Sequence, residues 1–204
     1  MRIPTPLRGT LIAAAATAAL LTAPGTAATA APSSSPSPPY ASSPSFPSLR
    51  PVVALSAERL ATADLVAAAK WGTDTPIDDP ARERQVLDTV AAQAERAGAD
   101  PDEVRRIFRD QIEANKAVQR GLFRRWTTHP DQAPTTRPDL SVVRETINRV
   151  TTDLVAALAA TTPERTAPAC HPRLAVATLQ VRHEQHPDAL HTRALVRSLA
   201  SVCR

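Results

Sequence analysis

Apolar residues recur along this chain at intervals of three and four, which places them on one face of a helix. Val104, Phe108, Ile112, Leu122 and Trp126 form one such stripe; Leu140, Ile147, Val155 and Leu158 form another. Period-two runs of β-branched and aromatic residues do not occur, so the pattern predicts no strands. Punctuation divides it into about six helices. The first covers about 51–71, with Pro51 suited to a first turn, and "GTDTPIDDP" breaks it. The second starts near Pro80, with Asp79 as its cap, and ends near Gly98. The third begins at Asp100-Pro101 and runs to about Trp126, where the loop "TTHPDQAPTTRP" takes over. The fourth starts near Asp139 and stops before Thr162-Pro163. Two shorter helices follow at about 168–185 and 187–203, separated by His186-Pro187. No repeat of fixed period is present. The expected fold is all-α, a single domain over residues 51–204.

Several polar residues sit where the pattern asks for apolar ones. Gln111, Asn115 and Gln119 line up along the middle of the third helix's stripe. Arg59 and Lys70 are eleven residues apart, close to three turns and roughly 16 Å along the axis. Both point with Val52, Ala63 and Val66, the apolar face. Arg144 lies on the fourth stripe, and Arg82 flanks the apolar side of the second helix. A single such residue is commonly a snorkelling side chain at the core's edge, and buried amides are usually satisfied by backbone or by one another. The same exception in several helices points further. Buried cations need counter-charge, and these stripes carry few acids. A missing anion accounts for them: cations and amide donors converging between helices form a pocket for a small, multiply negative ligand.

Composition narrows the choices. Residues 1–30 read as a secretory signal peptide, with Arg2 and Arg8 ahead of a short apolar run at 11–21 and a small-x-small site at Ala28-Thr29-Ala30. The run is too short to span a bilayer comfortably. Residues 31–50 are a Pro/Ser-rich linker, expected to be disordered. About 155 residues remain, a normal single-domain size. The formal charge of +4 falls to +2 once Arg2 and Arg8 leave with the signal, which carries no acids. That balance excludes nucleic acid or an anionic membrane surface as the expected partner. Five glycines offer no Gly-rich phosphate loop. Neither a nucleophile elbow nor a metal-spaced cluster is present. His129, His171, His183, His186 and His191 fall mostly in loops or on the two last helices, and His183 and His186 are expected on a solvated face. Cys170 and Cys203 are the only cysteines. In an exported protein two cysteines predict one disulfide, and a loop of that length adds roughly 3–4 kcal/mol in the chain-entropy model.

The order Arg59, Lys70 eleven residues on, Arg82 twelve further, then Asn115 and Gln119 at i,i+4, resembles the AroQ-type all-α chorismate mutases. "AAAKW", "PIDDPAR" and "FRDQIEANKAVQ", with the signal peptide, the "DLSVVR" helix and the cysteine pair, resemble their exported gamma subclass, periplasmic or secreted. The resemblance implies rearrangement of chorismate to prephenate, a unimolecular pericyclic shift needing no cofactor or metal. It implies that Arg59, Arg82 and Arg144 hold the two substrate carboxylates. Lys70 and Gln119 would donate to the ether oxygen, Asn115 would orient the polar contacts, and Glu83 would accept from the substrate hydroxyl. It further implies a site built within one chain and, often, a homodimer. Two positions depart from the family's pattern: Val86 stands where some exported members place a polar residue, and Asn115 where a hydroxyl is common. The competing reading is a non-enzymatic exported helical protein that binds an acidic metabolite or a protein partner.

The signal and cysteines together make a prediction. The mature protein starts near Ala31 with Cys170 bonded to Cys203, so its intact mass lacks the signal and two hydrogens. Two alkylatable thiols in the folded, exported protein would refute the bridge.

Overall fold

A computed structural model describes residues 48–204. The signal segment and nearly all of the Pro/Ser-rich linker lie outside the described residues. Seven α-helices follow in order: α1 (Arg50–Lys70), α2 (Pro80–Arg96), α3 (Pro101–Thr128), α4 (Leu140–Ala160), α5 (Thr162–Thr166), α6 (Cys170–Gln185) and α7 (Ala189–Ser198). A single 3₁₀ turn at Pro130–Gln132 interrupts the loop after α3. No strand occurs among the described residues.

The helix starts follow from local chemistry. Asp79, Asp100, Asp139 and Asp188 each accept a backbone N–H from the first turn of α2, α3, α4 and α7. Such a cap contributes about 1 kcal/mol by satisfying an orphan donor. α1 starts differently. Leu49 precedes it without a capping side chain and is buried instead, so packing holds the entry.

α1 is the central element, packed on α3, α4, α6 and α7; α3 also carries α2. The core they share includes Val52, Val53, Val90, Phe108, Val118 and Leu154, all with no exposed surface. Each side chain of that size contributes about 1.5–3 kcal/mol by leaving water. Gly121 sets the approach of α3 to α7. A Cβ there would lie 2.7 Å from a methyl of Leu190.

Two sequence expectations need correction. Thr162-Pro163 ends α4 as expected, but a seventh, five-residue helix restarts at once, because proline suits a first turn as well as it ends a helix. The last helix stops at Ser198 rather than near 203. Leu199 and Val202 are buried beyond it, and the backbone N–H of Ser201 donates to Asp110 Oδ2 at 3.0 Å. The tail turns back so that Arg204 N donates to the Arg165 carbonyl at 3.1 Å. The Cys170–Cys203 disulfide, with Cα atoms 5.7 Å apart, therefore joins this tail to the first residue of α6.

A charged knot sits under the tail. Arg165 has no exposed surface and pairs with Glu103, which also receives Arg204. Burial pushes the Glu103 carboxyl up, but the two guanidinium groups outweigh it and hold it below its ordinary range. Removing Glu103 would leave the buried Arg165 without a carboxylate.

His191 is a second polar tie. Its two ring nitrogens lie 2.9 Å from Asp64 Oδ1 on α1 and 2.8 Å from Asp188 Oδ1 at the start of α7. Hydrogen bonding to Asp64 raises its pKa to about 9, against desolvation and with help from Asp188. A folded-state pKa above the unfolded value of about 6.5 means the charged form stabilises the fold. That contribution is whole below about pH 6.5 and is lost as pH rises through about 9. The urea midpoint of the native protein should therefore drop relative to His191→Asn as pH is raised across this window. A constant difference between the two would show that the tie carries no stability.

Candidate active site

A cavity of about 160 Å³ opens between α1, α2, α3, α4 and the loop over 71–79. From α1 come Arg59, Thr62, Val66 and Lys70. The loop adds Thr75, Ile77 and Asp79, and α2 adds Arg82, Glu83 and Val86. From α3 come Ile112, Asn115, Lys116 and Gln119; from α4, Leu140, Arg144 and Ile147. All seven residues to which the resemblance gives a role, Arg59, Lys70, Arg82, Glu83, Asn115, Gln119 and Arg144, line this one space. So does Val86, an apolar wall one turn beyond Arg82.

Arg59 is 5% exposed, yet no carboxylate pairs with it among the described residues. Its guanidinium lies 5.5 Å from the centre of the Phe108 ring, and Nε donates weakly to Thr151 Oγ1 at 3.4 Å. Burial pushes its pKa down to about 10, so it stays charged at neutral pH. Arg165 provides the contrast within the same protein: equally buried, it has Glu103. An arginine kept dry and unpaired beside a cavity can receive a ligand's negative charge.

The other cations are held open in different ways. Lys70 Nζ donates to the carbonyl of Pro76 at 2.8 Å and reaches that of Ile77 at 3.4 Å. Burial lowers its pKa first, and Arg144 adds to this against the raising fields of Asp79, Asp78 and Glu83. Arg82 Nη1 donates to Gln85 Oε1 at 2.6 Å. Arg144 is exposed and makes no hydrogen bond or ion pair among the described residues.

Two lining groups escaped the sequence reading. Lys116 is 8% exposed and pairs with Glu83 at 3.0 Å, Asp78 at 3.2 Å and Glu113 at 2.5 Å. Desolvation lowers its pKa, but these three carboxylates more than reverse that and raise it. In sequence only Glu113 stands at helical spacing to it, which is the look of an ordinary surface pair. Asp79 reads as a cap, which it is, but it also faces the cavity. Five cations thus line the space against two carboxylates, one occupied as a cap and the other shared with Lys116.

The three aligned amides divide. Asn115 and Gln119 line the cavity and bond to each other, Gln119 Nε2 to Asn115 Oδ1 at 2.7 Å. Gln119 Oε1 is buried without a partner. Gln111 does not face the cavity. Its Nε2 donates to Ser56 Oγ at 2.9 Å and to the Ser198 carbonyl at 3.1 Å, so it is a core tie between α1, α3 and α7.

The fold and this site define an all-helical domain with a cationic cleft for a small anionic ligand. Its residues 50–120 match the model of the family described as chorismate mutase type II. The chain is 37% identical over 166 residues to a secreted chorismate mutase of Mycolicibacterium smegmatis, covering 81% of this chain and 92% of that protein. It is 35% identical to a secreted chorismate mutase of Mycobacterium tuberculosis, over 82% of this chain and 84% of that one. The crystal structure of a chorismate mutase from Burkholderia thailandensis superposes with a TM-score of 0.73 at 39% identity, covering 76% of this chain and 98% of that one. The chain belongs to the chorismate mutase type II family.

The split among the amides is testable. Gln111→Ala should destabilise the protein by about 1–3 kcal/mol in urea unfolding, because Ser56 and the Ser198 carbonyl lose a buried partner. The cavity should keep its ligand affinity. A loss of affinity with unchanged stability would put Gln111 in the site.

Proposed function

We propose that this chain, exported as its curated relatives are, rearranges chorismate to prephenate in the α1–α4 cavity. The observation that carries this reading is Arg59: a buried cation with no carboxylate, in a space where positive groups outnumber negative ones. Chorismate brings the two carboxylates that such a space lacks.

The residues divide the work by chemistry. Arg59, Arg82 and Arg144 receive the carboxylates, since planar guanidinium forks suit them. Arg82 must exchange its Gln85 contact for substrate, and Arg59 gains the counter-charge it is missing. Lys70 spends protons on the loop carbonyls and keeps one for the ether oxygen, where negative charge grows as the C–O bond breaks. Gln119 is the second donor. Its orphaned Oε1 is satisfied if both amides turn over together: Asn115 then donates to Gln119 Oε1, and Gln119 Nε2 is free for the ether oxygen. Glu83 accepts from the substrate hydroxyl with its position held by Lys116.

Catalysis has two physical sources. The cavity holds a compact conformer ready to react. Preorganised donors favour the transition state, in which the ether oxygen is more negative, over the substrate. A millionfold acceleration requires roughly 8 kcal/mol from the two together. The resemblance implies a site built within one chain, so the homodimer it also implies would carry two separate sites.

Chorismate absorbs in the near ultraviolet and prephenate does not, so loss of absorbance on adding mature protein tests the proposal. Saturable binding without that loss would instead identify a non-enzymatic binder. Lys70→Ala should lower turnover by about 10²–10³, as for a removed oxyanion-type donor, with the helical fold intact. Arg59→Ala should fail mainly through binding.

The pH profile tests Gln119. A glutamine amide donates at any ordinary pH, so turnover should stay nearly flat from mildly acidic to mildly alkaline conditions. Gln119→Glu can donate only when protonated and repels the dianion when ionised. It should show a new acid-side optimum. A flat profile in that variant would remove Gln119 from the ether-oxygen role.

A further inference from the structure

We propose that Asp78, outside the cavity, is a positioning residue for the Lys70 ammonium: it latches the 71–79 loop to α3, and the latched loop's carbonyls aim Lys70. The proposal rests on the role of Lys70 given above and adds the part of the protein that holds it.

The geometry runs through consecutive residues. The carbonyls of Pro76 and Ile77 accept hydrogen bonds from Lys70 Nζ at 2.8 and 3.4 Å. Asp78, the next residue, receives Arg120 Nη2 on α3 at 2.6 and 2.8 Å through its two oxygens. Lys116 Nζ lies 3.2 Å from the same carboxylate. Asp79 then caps α2. The loop leaves α1 directly after Lys70 and Trp71 through Gly72, whose φ of +67° is the left-handed conformation glycine tolerates. Trp71 anchors the start of the loop against Phe123 and Trp126; from Gly72 to Pro76 the chain is exposed, and beyond Trp71 Ile77 is the loop's one half-buried apolar side chain. Little apolar packing therefore sets the height of the two carbonyls over the cavity. The Asp78 latch does.

An exposed ion pair of this kind contributes little to stability. Its value lies in position. A donor displaced by about 1 Å can cost about 10²-fold in rate. Asp78 touches none of the space where substrate would sit, so its loss should appear in turnover rather than in binding of the carboxylates.

The test uses Asp78→Ala and Arg120→Ala in the full mature protein. Asp78→Ala should lower kcat by about 10–10²-fold with KM changed about threefold or less. Arg120→Ala should move kcat in the same direction by less, since Lys116 still holds Asp78. The double variant should match Asp78→Ala alone. The chain has only two lysines, Lys70 and Lys116, so acylation by acetic anhydride can be followed at each by peptide mass. Lys70 should be labelled faster in both variants than in the parent, with thermal unfolding little changed. Unaltered Lys70 labelling in both variants, or a rise in KM with kcat preserved, would overturn the latch. If the parent fails to convert chorismate, the proposed function falls while the labelling still decides whether Asp78 holds Lys70. If Asp78→Ala does not fold, Arg120→Ala carries the same labelling comparison.

Discussion

Burying a guanidinium without a carboxylate is the constraint around which this molecule is arranged. Arg59 lies between α1, the Phe108 face of α3 and Thr151 of α4, and among the described residues a ring and a weak hydroxyl contact are its only compensation. Neither replaces lost hydration. The surrounding structure must therefore be stable enough to keep Arg59 dry before any ligand arrives. The core of α1 and α3 supplies that stability. In the proposed function a ligand carboxylate would relieve a cost already met, which is how a preorganised site favours binding and charge development together.

The same economy explains why the site is braced by charge at its edges. α2 buries only Val90, Ala91 and Ala94, all beyond its first two turns, so its cavity end has little apolar anchorage. Its position is held by the Asp79 cap and by the Glu83–Lys116 pair. The neighbouring loop is held through Asp78. At the far end of the molecule, the Arg165–Glu103–Arg204 knot and the disulfide fasten the tail without contributing to the cavity. Of the two buried arginines among the described residues, Arg165 with its carboxylate fastens the tail, while Arg59 without one faces the cavity.

Much of this was legible in the sequence because it is local. The apolar stripes, the Asp caps and the prolines set all the longer helices within a few residues. Cations at helical spacing on apolar faces announced the pocket, since few structural reasons put them there. The family resemblance added the roles, and all seven of its residues line one cavity. What escaped was non-local. The five-residue α5 is too short for periodicity to register. The turn of the tail after Ser198 depends on Asp110 and Arg165, which are distant in sequence. Lys116 looks like half of a surface pair until Asp78 and Glu83 close over it.

Gln111 and Gln119 show where the division lies. They are the same residue type, on one helix, on one face, about two turns apart. Their spacing determined that both point inward, because helix geometry alone decides that. Which of them faces the cavity could not follow from spacing. Tertiary packing brings Ser56 and the end of α7 to Gln111 and closes its hydrogen bonds. It brings α2 and α4 across from Gln119 but leaves a gap, with one amide oxygen unpaired. A side chain's direction belongs to its own helix; whether it finds a partner or an opening depends on the helices that the fold places opposite.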